Sequence, residues 1–492
     1  MNSKRQDKIH SVKYNFFMNF ILTASSFLFP LITFPYISRV LGAAGNGKVA
    51  FAASVANYSM MTASLGIPTY GVRACAQVRD DRRLLSKTVV EIFLINFVAT
   101  ITVITTYIIC VFSIPQFCED KTLFMINGLS ILLNMFGMNY VYQALEKYDY
   151  ITVRSILFKF ISIALMFLLV HRQSDYIIYG AITVLASVGS YILNFTRIHK
   201  YIDFNFRQSI EIKKHLKPIF TLFAQSLAVS IYTNLDTVML GFMKNDVDVG
   251  YYNAAVKVKA VLLSLVTSLG NVLLPRMSYY AKQKMKEDFM RTMLKALNFT
   301  ILMSIPLAVY FAFYAKESIL FLAGDGYVGS VLAMQIITVA VIPNGLTGVL
   351  GIQVLTAIEK EKYVLYSVIV GAISDFLLNL VMIPQMGAAG AALATTIAEF
   401  MVLFVQIYYT KDFLKQLKQG FRMHRYIILA TISAILAFWV KFTHIQSSFI
   451  RLVLSSITFF GVYMINLLIT KEDIVLRMVD SMLIKLKLRS NK

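Results

Sequence analysis

Charge is scarce in this chain. Only 15% of its 492 residues are Asp, Glu, Lys or Arg, against roughly 25% in soluble proteins. With 58% hydrophobic residues and a mean hydropathy of +0.66, it cannot cover a water-facing surface with polar groups. That excludes a soluble globular domain and predicts an integral membrane protein. Acid is scarcer than base, 26 residues against 47. Cysteine is nearly absent. Cys75, Cys110 and Cys118 form no CxxC pair, and the six histidines are scattered. No disulfide framework, metal site or other cofactor is therefore expected. Alternating apolar–polar segments are lacking too, which excludes a membrane β-barrel. So are long connections. The longest is about 20 residues, too short for a soluble domain, so any activity resides in the membrane-embedded part.

One short stretch offers a competing idea. Residues 42–48 read GAAGNGK, one letter from the phosphate-binding G-x-x-x-x-G-K-[ST] loop. That loop needs a hydroxyl for Mg²⁺ after the Lys and a strand before the first Gly. Here the hydroxyl position is Val49, and an apolar helical run precedes Gly42. The segment is expected to be a tight turn between two helices, and ATP is not expected as a partner.

Apolar runs recur to the C-terminus. Residues 14–38 lack any charge, which is too long for a cleaved signal peptide and long enough to span a bilayer. Fourteen helices are expected, near 12–38, 49–72, 88–112, 123–145, 153–171, 176–196, 218–241, 252–274, 292–314, 329–355, 363–383, 388–410, 424–441 and 449–469. With the N-terminus in the cytoplasm, 37 of the 47 Lys and Arg fall on the cytoplasmic side and 10 outside. This is the positive-inside distribution, with both termini cytoplasmic. It also accounts for the net charge of +21 without nucleic acid as a partner.

A faint internal repeat is visible. YISRVLGAAGNGKVAFAASV and LDTVMLGFMKNDVDVGYYNAAV share Leu-Gly, a polar turn, an aromatic residue and then small residues. Both helices that follow run to an Arg, Arg73 and Arg276. Same-direction repeats of this kind place a transporter's substrate site between the halves.

FLFPLITFPYISRVLGAAGNGKVAFAASVANY, GIPTYGVRACA, NLDTVMLG, VGYYNAAVKV and IPQMGAAGAALATTIAEF together resemble the Wzx-type polysaccharide flippases of the multidrug/oligosaccharidyl-lipid/polysaccharide exporter superfamily. The resemblance covers essentially the whole chain. It implies two six-helix lobes around a central cavity, with two helices appended, in a bacterial plasma membrane. The expected segments are a tail at 1–11, lobes at 12–198 and 218–410 joined by a linker at 199–217, a loop at 411–423, the appended pair at 424–469 and a basic tail at 470–492. The implied substrate is an undecaprenyl-pyrophosphate-linked oligosaccharide, moved by alternating access without an ATPase. Polysaccharide polymerase and glycosyltransferases are the implied protein partners. A multidrug or cation exporter of the same superfamily is the alternative. A membrane polymerase or ligase would need longer external loops.

A diphosphate headgroup needs cations along its path, and a lone charge at the bilayer centre costs about 3 kcal/mol. Lys and Arg within helices are therefore the first candidates. Lys159 lies in ILFKFISIALMFLLV. Lys257 and Lys259 lie in NAAVKVKAVLLSL, some 200° apart on the helix, so that one of them faces a cavity. Lys257 is favoured because it resembles a basic position of the flippases. Arg39, Arg73 and Arg276 are rim or entry cations, or plain positive-inside anchors. Asp236 is a candidate gate partner for Lys257. Asp375 and Glu399 are the deepest carboxylates, and Asn379 lies one turn from Asp375. Buried carboxylates of this kind carry H⁺ or Na⁺ in coupled transporters, or serve as neutral helix contacts. The small residues of GAAGAALATT signal close helix packing. The many Phe and Tyr are expected mostly at lipid-facing and interfacial positions.

Overall fold

The computed structural model describes residues 12–203, 209–268, 270–417, 420–443 and 445–476. The expected N-terminal tail, 1–11, lies outside the described residues, as does the expected basic tail beyond residue 476. Every regular element among the described residues is helical.

Two compact units divide at Gly250. The first contains α1 (Val12–Ser64), α2 (Ile67–Gln77), α3 (Arg82–Ser113), α4 (Pro115–Glu119), α5 (Lys121–Gly137), α6 (Asn139–Ala144), α7 (Tyr148–Leu169), α8 (Tyr176–Val184), α9 (Tyr191–Arg197) and α10 (Lys213–Met243). It also holds the first turn of α11 (Asp246–Thr267). The second contains the rest of α11, then α12 (Gly270–Lys282), α13 (Lys286–Phe313), α14 (Ala315–Ala323), α15 (Ser330–Val339), α16 (Val341–Thr347), α17 (Glu361–Met386), α18 (Ala388–Leu417), α19 (Met423–Ala437) and α20 (Ser448–Ile469).

Among the described residues, twelve helical stretches are long and apolar enough to cross a membrane. The first, Phe17–Gln77, has 61 residues, about 90 Å at 1.5 Å per residue. The hydrocarbon core is only about 30 Å thick. The stretch turns back at Gly42, whose φ of 67° and ψ of −174° break the helix. Glycine takes this conformation at no steric cost. The stretch thus crosses twice, and α10, with 31 residues, is long enough for one more crossing. The fold is the all-α polytopic bundle of about fourteen crossings that the apolar runs predict.

The GAAGNGK segment is tighter than expected. Only Gly42 departs from helix, and the helix resumes at once. The later glycines serve packing. A Cβ on Gly47 would lie 1.7 Å from the Asp246 carbonyl oxygen, and one on Gly250 would lie 2.1 Å from that of Ala43. The two turns of the internal repeat thus lock backbone to backbone within the first unit. α10 meets α2 just as closely, since a Cβ on Gly66 would lie 2.3 Å from the Ile219 carbonyl oxygen.

Helices α17 and α18 pair through the small residues read from GAAGAALATT. A Cβ on Gly390 would sit 2.2 Å from the Met382 carbonyl oxygen. Elsewhere buried tyrosines join helices, a use the aromatic content did not reveal. Tyr314 donates to the Ala437 carbonyl (2.7 Å) and Tyr463 to that of Leu302 (3.1 Å), tying α13 to α19 and α20. In the first unit Tyr107 donates to the Phe124 carbonyl (2.8 Å) and Tyr142 to that of Asn194 (2.6 Å). Lipid tails are as apolar as leucine side chains, so such bonds and close contacts supply association energy that the hydrophobic effect cannot.

Candidate functional site

In the first unit, α1 and α7 run side by side. Thr152 donates to the Met18 carbonyl (3.0 Å). Seven residues further along both helices, the Lys159 ammonium donates to the hydroxyls of Ser25 (2.8 Å) and Ser26 (3.0 Å). Those hydroxyls in turn donate to the Leu22 carbonyl, so their lone pairs face the ammonium. The Phe29 ring lies 5.7 Å from Lys159 Nζ. Lys159 thus reaches sideways to α1. It is eleven residues into α7, about 16 Å along its axis.

In the second unit, the buried Glu399 carboxylate meets Lys259 Nζ at 3.7 Å and accepts a hydrogen bond from the Asn344 amide. Glu399 is eleven residues into α18, at comparable depth. Lys259, the lysine ranked second on sequence, is thus within ion-pair distance of the carboxylate. Lys257 is half-buried. Asn344 was missed, and the signal was there: Pro343, Asn344 and Gly345 interrupt an apolar run. Tyr252 and Thr395 share a hydrogen bond at 3.0 Å that also joins α11 to α18.

Asp375 and Asn379 lie one turn apart on α17, both almost fully buried. Asp236 is buried on α10. Arg39, Arg73 and Arg276 are exposed. Arg39 donates to the Pro35 carbonyl (2.6 Å), and the Arg73 guanidinium lies 5.7 Å from the Tyr70 ring centre.

These charges stand in a helical frame that can be compared with known proteins. The family described as "Polysaccharide biosynthesis protein" matches residues 12–281, more than half of the chain, and the MatE family matches residues 222–381. The chain belongs to the polysaccharide biosynthesis protein family. Among its relatives is a protein of Escherichia coli (strain K12) named "Putative O-antigen transporter", 24% identical over 80% of this chain and 97% of that one. A protein of the same name from Shigella dysenteriae is 22% identical over 54% of this chain and 67% of that one. Among solved structures, the lipid II flippase MurJ in an inward closed conformation superposes with a TM-score of 0.75 at 17% identity, over 94% of this chain and 100% of that one. An inward-facing multidrug resistance MATE transporter gives a TM-score of 0.55 at 11% identity, over 79% and 98%. These two likenesses establish the fold.

Three polar clusters in this polysaccharide biosynthesis family member escaped the sequence reading. The Lys48 ammonium, the lysine of GAAGNGK, pairs with Asp120 at 2.7 Å, and Tyr176 donates to the same carboxylate at 2.6 Å. The segment that imitates a phosphate loop is thus a clamp joining α1, the start of α5 and α8. A second cluster binds the chain before α10. Glu91, fully buried on α3, accepts from the Glu211 backbone N–H (2.7 Å), from Lys214 (3.0 Å) and from His215 Nε2 (2.8 Å). A carboxylate only accepts, so His215 Nε2 carries a proton, and Nδ1 shares a hydrogen bond with the Tyr70 hydroxyl at 2.7 Å. In the third, Arg154, only 3% exposed, donates to the Ser190 carbonyl (3.0 Å) and to Asn139 Oδ1 (2.8 Å). It braces the break at Met138, whose φ is 42°. None of the three has a signature in local sequence, because the partners lie between 36 and 124 residues apart in most of these contacts.

Proposed function

We propose that this multi-pass membrane protein is a flippase that moves undecaprenyl-pyrophosphate-linked oligosaccharide repeat units across the bacterial plasma membrane by alternating access, with both termini in the cytoplasm. Membership of the polysaccharide biosynthesis protein family and the likeness to an E. coli relative named for O-antigen transport support transport of a lipid-linked glycan. The observation that carries the chemistry is the placement of lysine ammonium groups deep in the helices. Lys159 is held by Ser25 and Ser26, and Lys259 is held against Glu399. A half-buried cation of this kind can exchange neutral or carboxylate partners for a phosphate oxygen, and a charge-assisted bond to phosphate offsets the cost of taking both groups out of water. Lys257, Arg39, Arg73 and Arg276 complete the proposed cationic path, with Asp236 as a gate. Polymerase and glycosyltransferases of the same polysaccharide are the proposed partners.

Glu399, Asp375 and Asn379 are the proposed coupling groups for H⁺ or Na⁺, since one charge moved through 100 mV is worth about 2.3 kcal/mol. The match of residues 222–381 to the MatE family favours a second reading, export of a cationic drug. Reconstitution separates the two. Vesicles holding labelled polyprenyl-pyrophosphate oligosaccharide should show protein-dependent crossing that Lys257→Ala reduces. Crossing of a cationic dye, with none of the oligosaccharide lipid, would establish the exporter instead.

A further inference from the structure

A groove of about 390 Å³ opens on the flank of the first unit between α1 and α7. Its lining residues are Met18, Ile21, Thr152, Val153, Ile156, Leu157 and Phe160. All are apolar except Thr152, whose hydroxyl is spent on the Met18 carbonyl. Val153, Leu157 and Phe160 are 62%, 52% and 60% exposed, so the groove is open on the surface of the first unit. Lys159 adjoins its deep end, beside Phe160, with Nζ turned to Ser25 and Ser26.

Depth decides what fits. Thr152 lies four residues into α7 and Lys159 eleven, so the groove runs from about 6 Å to about 16 Å below the helix start. The hydrocarbon core is about 30 Å thick, so the ammonium stands about half that thickness from the start of α7. A resident phospholipid keeps its phosphate at the interface and offers only acyl chain at that level. A phosphate meets a mid-depth cation only while its headgroup is crossing. Among the described residues no carboxylate stands within ion-pair distance of Lys159, and its two hydroxyl partners leave a third ammonium hydrogen for a passing anion.

We infer that the α1–α7 groove holds the polyprenyl chain of the transported lipid and that Lys159 receives its diphosphate midway across. This rests on the flippase reading above and adds a tail path and a transit residue on a named face. The groove supplies an apolar track for a chain that stays in lipid. The Lys159–Ser25–Ser26 cluster supplies a cation whose neutral partners are readily replaced by phosphate oxygens.

Two measurements in proteoliposomes test it. A photoreactive benzoylphenylalanine is placed at Val153, at Leu157 and, as a control, at Ile435 on α19, which is 67% exposed. Radiolabelled polyprenyl-diphosphate oligosaccharide is supplied in phospholipid vesicles. Labelled adducts at 153 and 157, at least fivefold above those at 435, are expected. Equal labelling at all three positions would show general lipid contact and overturn the inference. In the transport assay, Lys159→Met should slow crossing at least tenfold, Lys159→Arg should stay within about threefold of the parent protein, and Val153→Trp, which fills the groove from its exposed side, should slow crossing like Lys159→Met. If the parent protein moves the lipid and Lys159→Met and Val153→Trp move it equally fast, the groove assignment fails and the flippase reading stands. If the parent protein does not move it, the flippase reading fails and the groove assignment falls with it.

Discussion

Gly47 and Asp246 touch through their backbones: a Cβ on Gly47 would sit 1.7 Å from the Asp246 carbonyl oxygen and 2.6 Å from its carbon. The start of α11 therefore seats on α1 only because position 47 has no side chain. Backbone cannot swing aside as a flexible side chain can. Gly47→Ala should destabilise the protein by about 3 kcal/mol, the upper part of the overpacking range, read as a lowered melting temperature in detergent. Gly461, whose added Cβ would meet nothing within 4 Å, is the control. Gly461→Ala on α20 should leave stability unchanged or raise it by up to about 1 kcal/mol through helix propensity.

The Lys48–Asp120 pair, with side chains 28% and 10% exposed, lies between a surface ion pair and a buried one. A double-mutant cycle with Lys48→Met and Asp120→Asn should give a coupling of about 1–2 kcal/mol, above the values usual for exposed pairs. Mg-ATP should leave the melting temperature of the parent protein unchanged. A saturable rise would restore GAAGNGK as a nucleotide loop.

What the sequence made legible followed from one-dimensional quantities. Hydropathy placed the membrane crossings, because each crossing is a contiguous run. The Gly390 approach to Met382 was legible for the same reason, since a string of small residues has few other uses in a membrane helix. Lys159 and Glu399 were found because a charge inside an apolar run stands out. The approach of Lys259 to Glu399 was not legible. Two lysines two positions apart look alike until α18 is packed beside them. The Glu91–His215–Tyr70 chain was invisible for a related reason. Glu91 and His215 are 124 residues apart, and each sits near the start of its helix, where polar residues are ordinary. The short helices α4, α6, α12 and α14 were read as loops or helix ends because a run of 5 to 13 residues is too brief for a periodic signal.

That buried chain yields a stability prediction. His215→Leu removes one donor of the fully buried Glu91 and the partner of the Tyr70 hydroxyl, so it should cost about 2 kcal/mol, in the range for leaving a buried polar group unsatisfied. His215→Gln, which can still donate to Glu91, should recover a good part of this. Equal melting temperatures for the two variants would contradict the arrangement.

The linker beside it should respond to acid. The Glu211 carboxyl is held below its usual 4.5 by the hydrogen bond from Lys87 and by the charges of Lys87 and Lys214. A depressed carboxyl pKa contributes stability that is present above the unfolded value and lost as pH falls through the folded one. Amide exchange at residues 209–213 should therefore be independent of pH near neutrality, after correction for intrinsic rates, and accelerate only below about pH 4. Acceleration between pH 7 and 6 would contradict this attachment.

The Lys259–Glu399 pair makes a prediction about coupling. Glu399→Gln removes the charge and keeps a hydrogen-bonding group opposite Asn344. If Glu399 carries the coupling proton, crossing by the parent protein should accelerate under an imposed pH gradient and the variant should lose that response while retaining facilitated movement. A response unchanged in Glu399→Gln would leave the carboxylate a structural partner of Lys259.

The central claim is that deep lysines serve a phosphate headgroup in transit. Its most direct test compares two lipids in the same proteoliposomes: a polyprenyl-diphosphate oligosaccharide, and the same oligosaccharide joined to the polyprenyl chain without phosphate. The account predicts crossing at least tenfold faster for the diphosphate, with that preference lost in the double variant Lys159→Met, Lys259→Met. Equal crossing of both lipids by the parent protein, or a preference that survives in the double variant, would contradict it.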